Sequence, residues 1–141
     1  YNLPRHMLEL ELTESAFFAN EPRLVRLMNE LRAAGFVFSM DDFGTGYSSL
    51  SYLSDLEVDF IKIDRKFVLD LNKEKGKKVL RDIINISHSI GCKVIIEGVE
   101  NESQLQLVKI FGADFVQGFY CHKPNPYDNT MEYIRKQNYT F

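Results

Sequence analysis

Residues 36–46 read Phe36-Val37-Phe38-Ser39-Met40-Asp41-Asp42-Phe43-Gly44-Thr45-Gly46. The first half is a short β-forming run and predicts a strand over 36–40. The second half joins two aspartates to two glycines and predicts a tight turn. The flanking sequence repeats the same unit. Residues 22–34 carry Leu24, Val25, Leu27, Met28 and Leu31 at helical spacing, with Gly35 as the stop. Residues 7–13 alternate apolar and polar side chains, as a strand with two different faces does. Downstream, the pattern predicts a short helix around 49–56, strands over 59–64, 93–97 and 114–120, and helices over 77–90, 103–111 and 129–136. Gly91 and Gly112 close two of these helices. Five strands, each followed by a helical stretch, are repeated βα units and predict an α/β protein with a parallel sheet. The mixed-charge run Lys73-Glu74-Lys75-Gly76-Lys77-Lys78 reads as a solvated helix entrance rather than a phosphate site.

The chain has 141 residues, a formal net charge of -3, 45% apolar residues and 26% charged residues, which suits one soluble domain with a real core. The slight acidity argues against a nucleic-acid polymer as partner, because such a partner selects a basic face. No apolar run approaches the roughly 18 residues that span a bilayer, and no basic-then-apolar leader opens the sequence, so the expected location is cytoplasmic. Cys92 and Cys121 are isolated thiols without C-x-x-C spacing, expected free and buried or half-buried. His6, His88 and His122 lack the i, i+4 partner of a helical zinc motif and are expected in structural or surface roles. The length excludes a complete eight-stranded α/β barrel, which takes about 250 residues.

Side chains alternate faces along a strand. Leu8, Leu10 and Leu12 should therefore meet helices, while Glu9, Glu11 and Thr13 share the other face. By the same rule Ser39 goes with Asp41, Lys62 with Asp64, Ile95 with Glu97, and Gln117 lies between Phe115 and Phe119. Parallel strands between helices are normally near-continuous apolar runs. Here each carries a polar or ionisable side chain, usually near its C-terminal end, the edge where α/β active sites lie. Clustered buried carboxylates repel one another, and a hard divalent cation relieves that repulsion. The pattern predicts a carboxylate-rich metal site with one lysine beside it. Two members have blander readings: Glu9 as a rim residue with a charged partner, and Asp64 as a cap for the following segment. Asp41 and Asp42 are adjacent, so both serve one site only if the chain turns there, a freedom that Gly44 and Gly46 supply. Bridging two cations and an Asx-turn with solvated carboxylates are the two readings of that pair.

These motifs resemble the EAL domain of bacterial cyclic-di-GMP phosphodiesterases. Glu11-Leu12-Thr13-Glu14-Ser15 is similar to that family's metal-ligand strand, and Asp41-Asp42-Phe43-Gly44-Thr45-Gly46-Tyr47-Ser48-Ser49-Leu50 to its signature loop. Phe60-Ile61-Lys62-Ile63-Asp64 is similar to its lysine strand, and Glu97-Gly98-Val99-Glu100 and Gln117-Gly118-Phe119 to its last two motifs. The resemblance implies a signalling hydrolase that linearises cyclic di-GMP to 5′-pGpG with two divalent ions, Mg²⁺ or Mn²⁺. It implies metal ligation by Glu11, Asp41, Asp42 and Glu97. It implies catalytic roles for Lys62, Glu97, Glu14 and Gln117, and substrate contacts from Asp64, Glu100, Gln117 and Phe119. Within that set Glu14 anchors the Asp-Asp-Phe-Gly loop, Lys62 contacts the attacking water or the phosphate, and Glu97 is a candidate general base.

The family's Glu-Ala-Leu motif, with its metal-ligating glutamate and phosphate-contacting arginine, is absent from the sequence, as is the asparagine ligand of the strand after it. The fold implied by the resemblance is therefore the C-terminal five βα units of a TIM-type (β/α)8 barrel. The resemblance implies that residues 1–141 are a partial EAL domain beginning just before the fourth strand. The alternatives are a rearranged open flavodoxin-like sheet and a barrel completed between molecules. The expected partners are cyclic di-GMP and either the N-terminal part of the domain or a second copy of the chain. GGDEF or sensory domains, and a membrane tether, belong to the expected parent protein. Little activity is expected from the chain alone, and non-hydrolytic binding or an assembly role is the competing function.

Overall fold

The computed structural model describes residues 3–13, 16, 21–44 and 57–136. Strands β1 (Glu9–Thr13), β2 (Val37–Phe43), β3 (Phe60–Ile63), β4 (Lys93–Glu97) and β5 (Phe115–Gln117) form one parallel sheet in the order β1-β2-β3-β4-β5. The α-helices are α1 (Glu21–Ala33), α2 (Arg65–Leu69), α3 (Glu74–Ser89), α4 (Glu102–Phe111) and α5 (Tyr127–Lys136). Right-handed crossovers that always step to the next strand in the same direction put the helices on one face. This is the winding of a barrel. A flavodoxin-like sheet reverses direction and runs 2-1-3-4-5, so the strand order overturns that alternative.

The helix-facing row is apolar. Phe38, Met40, Ile61, Ile63, Val94 and Ile96 are buried, and Leu10 and Leu12 pack against the same core. Leu80 and Ile84 of α3 and Leu105, Val108 and Phe111 of α4 cover it. Helix α4 is closed at both ends by its sequence. Asn101 and Gln104 form a reciprocal capping box, and Gly112 takes the left-handed conformation (φ 94°).

Several local expectations differ from what is observed. The first strand begins at Glu9 rather than residue 7, and Leu8, expected against the helices, is exposed. The second strand extends three residues further, to Phe43, because pairing with β3 resumes after a bulge. The fifth strand stops at Gln117 instead of reaching residue 120, because the amides of Cys121 and His122 fold back onto the Gly118 carbonyl. Helix α2 is too short to leave a periodic signature and was not expected. Cys121 is exposed, while Cys92 is buried, and both are free. The helix expected around 49–56 lies outside the described residues. No described helix is long and apolar enough to cross a membrane.

Candidate active site at the strand ends

The inner face of the sheet is built from the other residue of each alternating pair. Register places Glu11 beside Ser39, Thr13 beside Asp41, Lys62 beside Ile95, and Glu97 beside Gln117. Between β2 and β3 the pairing runs Met40 with Ile61 and then Phe43 with Ile63. Two residues, Asp41 and Asp42, thus stand against the single Lys62, which is a β-bulge. The turn that separates the two aspartates is made by Asp42 itself, at φ 55°, with Gly44 following at φ 83°. A non-glycine residue in that conformation is uncommon, and aspartate is among the residues that tolerate it. The glycines alone were expected to supply this freedom; the aspartate shares it.

Lys62 is the focus of the inner face. Its side chain is almost completely buried, yet it carries a charge that three strands neutralise. Nζ lies 2.6 Å from Glu11 Oε1 on β1, 2.9 Å from Glu97 Oε1 on β4 and 3.1 Å from Asp41 Oδ1 on β2. Burial by itself pulls the ammonium's pKa down. Glu11, Glu97 and Asp41 outweigh that and hold it above the ordinary lysine value. The contact with Asp41 is close but misaligned: Oδ1 is buried and has no hydrogen-bond donor aimed at it, and neither has the buried Ser39 Oγ. Asp41 Oδ1 is thus held by the charge of Lys62 rather than by an aligned hydrogen bond.

Hard carboxylate oxygens, with Asp41 Oδ1 held by an ion pair alone, suit a divalent cation. As they stand, the described residues contain no three His, Cys, Asp or Glu side chains converging tightly enough to hold one, and the carboxylates close on Lys62 instead. Asp42 is exposed. Glu14 lies outside the described residues.

Beside this cluster, a cavity of about 220 Å³ opens at the ends of β3, β4 and β5 and is lined by Asp64, Arg65, Glu97, Glu100, Gln117 and Phe119, among others. The four residues expected at substrate therefore share one cavity, joined to the lysine cluster through Glu97. Asp64 is also a cap: its Oδ1 accepts the Lys66 amide at 3.0 Å and starts α2. Glu100 is exposed, with its amide held by Gln104 Oε1 at 2.8 Å. Phe119 presents an exposed ring. Arg65 was not anticipated here. Its place is made by Gly98 (φ 70°), where an added Cβ would lie 2.3 Å from the Arg65 Cβ. The only trace of this in the sequence is that Arg65 follows the capping aspartate.

The EAL domain model matches residues 1–124. The chain belongs to the EAL domain family. It is 38% identical over 129 residues to the cyclic di-GMP phosphodiesterase NbdA of Pseudomonas aeruginosa, covering 91% of this chain and 16% of NbdA. Among solved structures, the PaMucR phosphodiesterase in complex with c-di-GMP superposes with a TM-score of 0.84 at 34% identity, over 91% of this chain and 52% of that one. BlrP1 of Klebsiella pneumoniae, solved with manganese and cy-diGMP, superposes with a TM-score of 0.76 at 29% identity, over 83% of this chain and 30% of that one. This EAL chain thus spans a small share of the curated relative and about half or less of these two solved chains.

Proposed function

We propose that this EAL chain supplies the C-terminal half of the active site of a metal-dependent phosphodiesterase that opens cyclic di-GMP to linear 5′-pGpG. The observation that carries the reading is Lys62 held by Glu11, Asp41 and Glu97 from three strands at the C-terminal edge of the sheet. The names of the relatives supply the substrate. A 5′-phosphorylated product requires that a water oxygen attack one phosphorus while the ribose 3′ oxygen leaves. Lys62, an ammonium with three acceptors, has no lone pair to take a proton; its role is to orient the water or phosphate and offset negative charge. The proton acceptor is then Glu97, which touches both Lys62 and the neighbouring cavity. Gln117 and Glu100 orient the nucleotide, and Phe119 offers a face on which a base stacks. Divalent ions, Mg²⁺ or Mn²⁺, held by Glu11, Asp41, Asp42 and Glu97 would acidify water and neutralise phosphate charge. The manganese in the BlrP1 complex supports that class of ion.

Among the described residues, the inner face of the sheet carries an open cavity of about 470 Å³ over Phe60, Ile95 and Phe115. We assign its covering to further strands, from the same protein or a second copy, and place the whole in the cytoplasm. A second reading, binding of cyclic di-GMP without hydrolysis, is favoured by the lack of a three-donor cluster among the described residues.

One experiment separates the two. The chain is incubated with cyclic di-GMP and Mg²⁺ or Mn²⁺, with and without the first three strands of a family member, and products are resolved by chromatography. Linear product is expected on complementation, little without it, and none with Asp41→Ala. Saturable binding with no product in any arm supports the second reading. Undiminished turnover by Asp41→Ala refutes the metal role.

A further inference from the structure

We propose that Lys66 and Phe67, on the short helix α2, are positioning residues that set the direction of the Asp41–Asp42 pair. The inference rests on the reading of that pair as part of the active site. The bulge opens a gap on the β3 side of the two aspartates, where pairing is interrupted between Met40 and Phe43, while Asp41 keeps its place beside Thr13 of β1. Asp42 and Gly44 both stand in the left-handed region. Past Asp41, and on its β3 side, that segment has no ladder partner among the described residues until Phe43, so its direction depends on what grips its end.

Helix α2 provides that grip at Gly44. Lys66 Nζ donates to the Gly44 carbonyl at 2.6 Å. The Phe67 ring lies against the same residue, so closely that a Cβ on Gly44 would be 2.8 Å from Cζ. The Lys66 ammonium also sits 5.0 Å from the centre of that ring, so the two side chains support one another. The helix in turn is fixed to β3, because Asp64 accepts the Lys66 amide at 3.0 Å. Lys62 on β3 and the aspartates on β2 are thereby held in register twice: once across the sheet, and once through Asp64, Lys66 and Gly44.

Lys66 is exposed, and one bond from an exposed lysine contributes little to overall stability. Its loss should appear at the aspartates and not in the melting temperature. Two readouts test this: amide hydrogen exchange at residues 42–44 of the chain without metal, and Mn²⁺ affinity by electron paramagnetic resonance with the first three strands of a family member supplied. Lys66→Met is expected to speed exchange there by about tenfold, the scale of one charge-assisted hydrogen bond, and to weaken Mn²⁺ binding in proportion. Lys66→Arg keeps a donor and is expected to restore both. Phe67→Leu keeps an apolar side chain in the core, removes the ring edge, and should move both readouts the same way. Wild-type exchange in Lys66→Met, or no restoration by Lys66→Arg, overturns the proposal; wild-type behaviour of Phe67→Leu overturns the part given to Phe67. Asp41→Ala tests the underlying reading. With the first three strands of a family member supplied, if its Mn²⁺ affinity equals that of wild type, or wild type shows no saturable binding, the metal reading fails and the exchange rates alone decide the proposal.

Discussion

Carboxylates stand at both edges of this sheet, and the two edges use them differently. At the N-terminal edge Asp59 and Asp114 are each matched to their own partners. Asp59 accepts the Phe38 amide at 2.9 Å and pairs with Arg32 at 3.3 Å. Asp114 accepts the Val94 amide at 2.8 Å and His88 Nε2 at 2.7 Å. Each ties the start of one strand to the backbone of its neighbour. At the C-terminal edge three carboxylates from three strands share one lysine, and one oxygen of Asp41 lacks an aligned donor. Satisfied carboxylates fasten strands together. A crowded, under-satisfied set keeps binding capacity for something else, in agreement with the general placement of chemistry at the C-terminal edge and stability at the other.

Lys62→Met breaks the contrast most severely. It leaves three carboxylates facing one another without their cation. Removing one partner of a buried ionic cluster costs roughly 3–5 kcal/mol, and the half-exposed Glu11 puts the expected loss near the bottom of that range. Urea unfolding should show it, and millimolar Mn²⁺ should return part of it, because a cation can then occupy the lysine's place. A loss that Mn²⁺ does not touch would mean the carboxylates relax apart into solvent, and the C-terminal edge would lose its claim to spare binding capacity.

Asp59→Ala tests the other edge. It strands the amide of Phe38, a fully buried core residue, and frees Arg32. An unpaired buried donor costs about 1–3 kcal/mol. No metal should rescue this variant, and its thermal unfolding with and without Mn²⁺ should coincide.

Much of this contrast was legible in the sequence. Strict alternation over residues 7–13 separated Leu10 and Leu12 from Glu11, and the same rule put Lys62 and Glu97 on the inner face; side-chain period two carries both facts. What was hidden depended on backbone detail. The bulge at Asp41 and Asp42 is one extra residue in a strand, and nothing in the residue types separates it from a continued strand or an early turn. Helix α2 is five residues long, less than two turns, so its apolar residues show no period. Asp64 could be read as a cap or a ligand because an aspartate before a short helix looks the same in either role. The pairing of Asp59 with the Phe38 amide spans 21 residues and follows only from the register of β2 against β3.

The smallest expected effect lies at Asp114. Burial pushes its carboxyl up, but His88 and the Val94 amide outweigh that and hold it below the usual carboxylate range. A folded-state pKa below the unfolded value, near 3.9, stabilises the fold above that value, and the contribution fades as pH falls through the lower one. Asp114→Asn keeps the shape and an oxygen for the Val94 amide while removing the charge. Because the side chain is about a third exposed, the difference from wild type should stay below about 1 kcal/mol. In urea unfolding, the gap should shrink below about pH 4 and close when the wild-type carboxyl is protonated. A gap that persists in acid would place the stabilisation in the amide geometry rather than the charge. The N-terminal edge would then fasten its strands by hydrogen bonds alone, and ionic cohesion would belong to the Lys62 cluster.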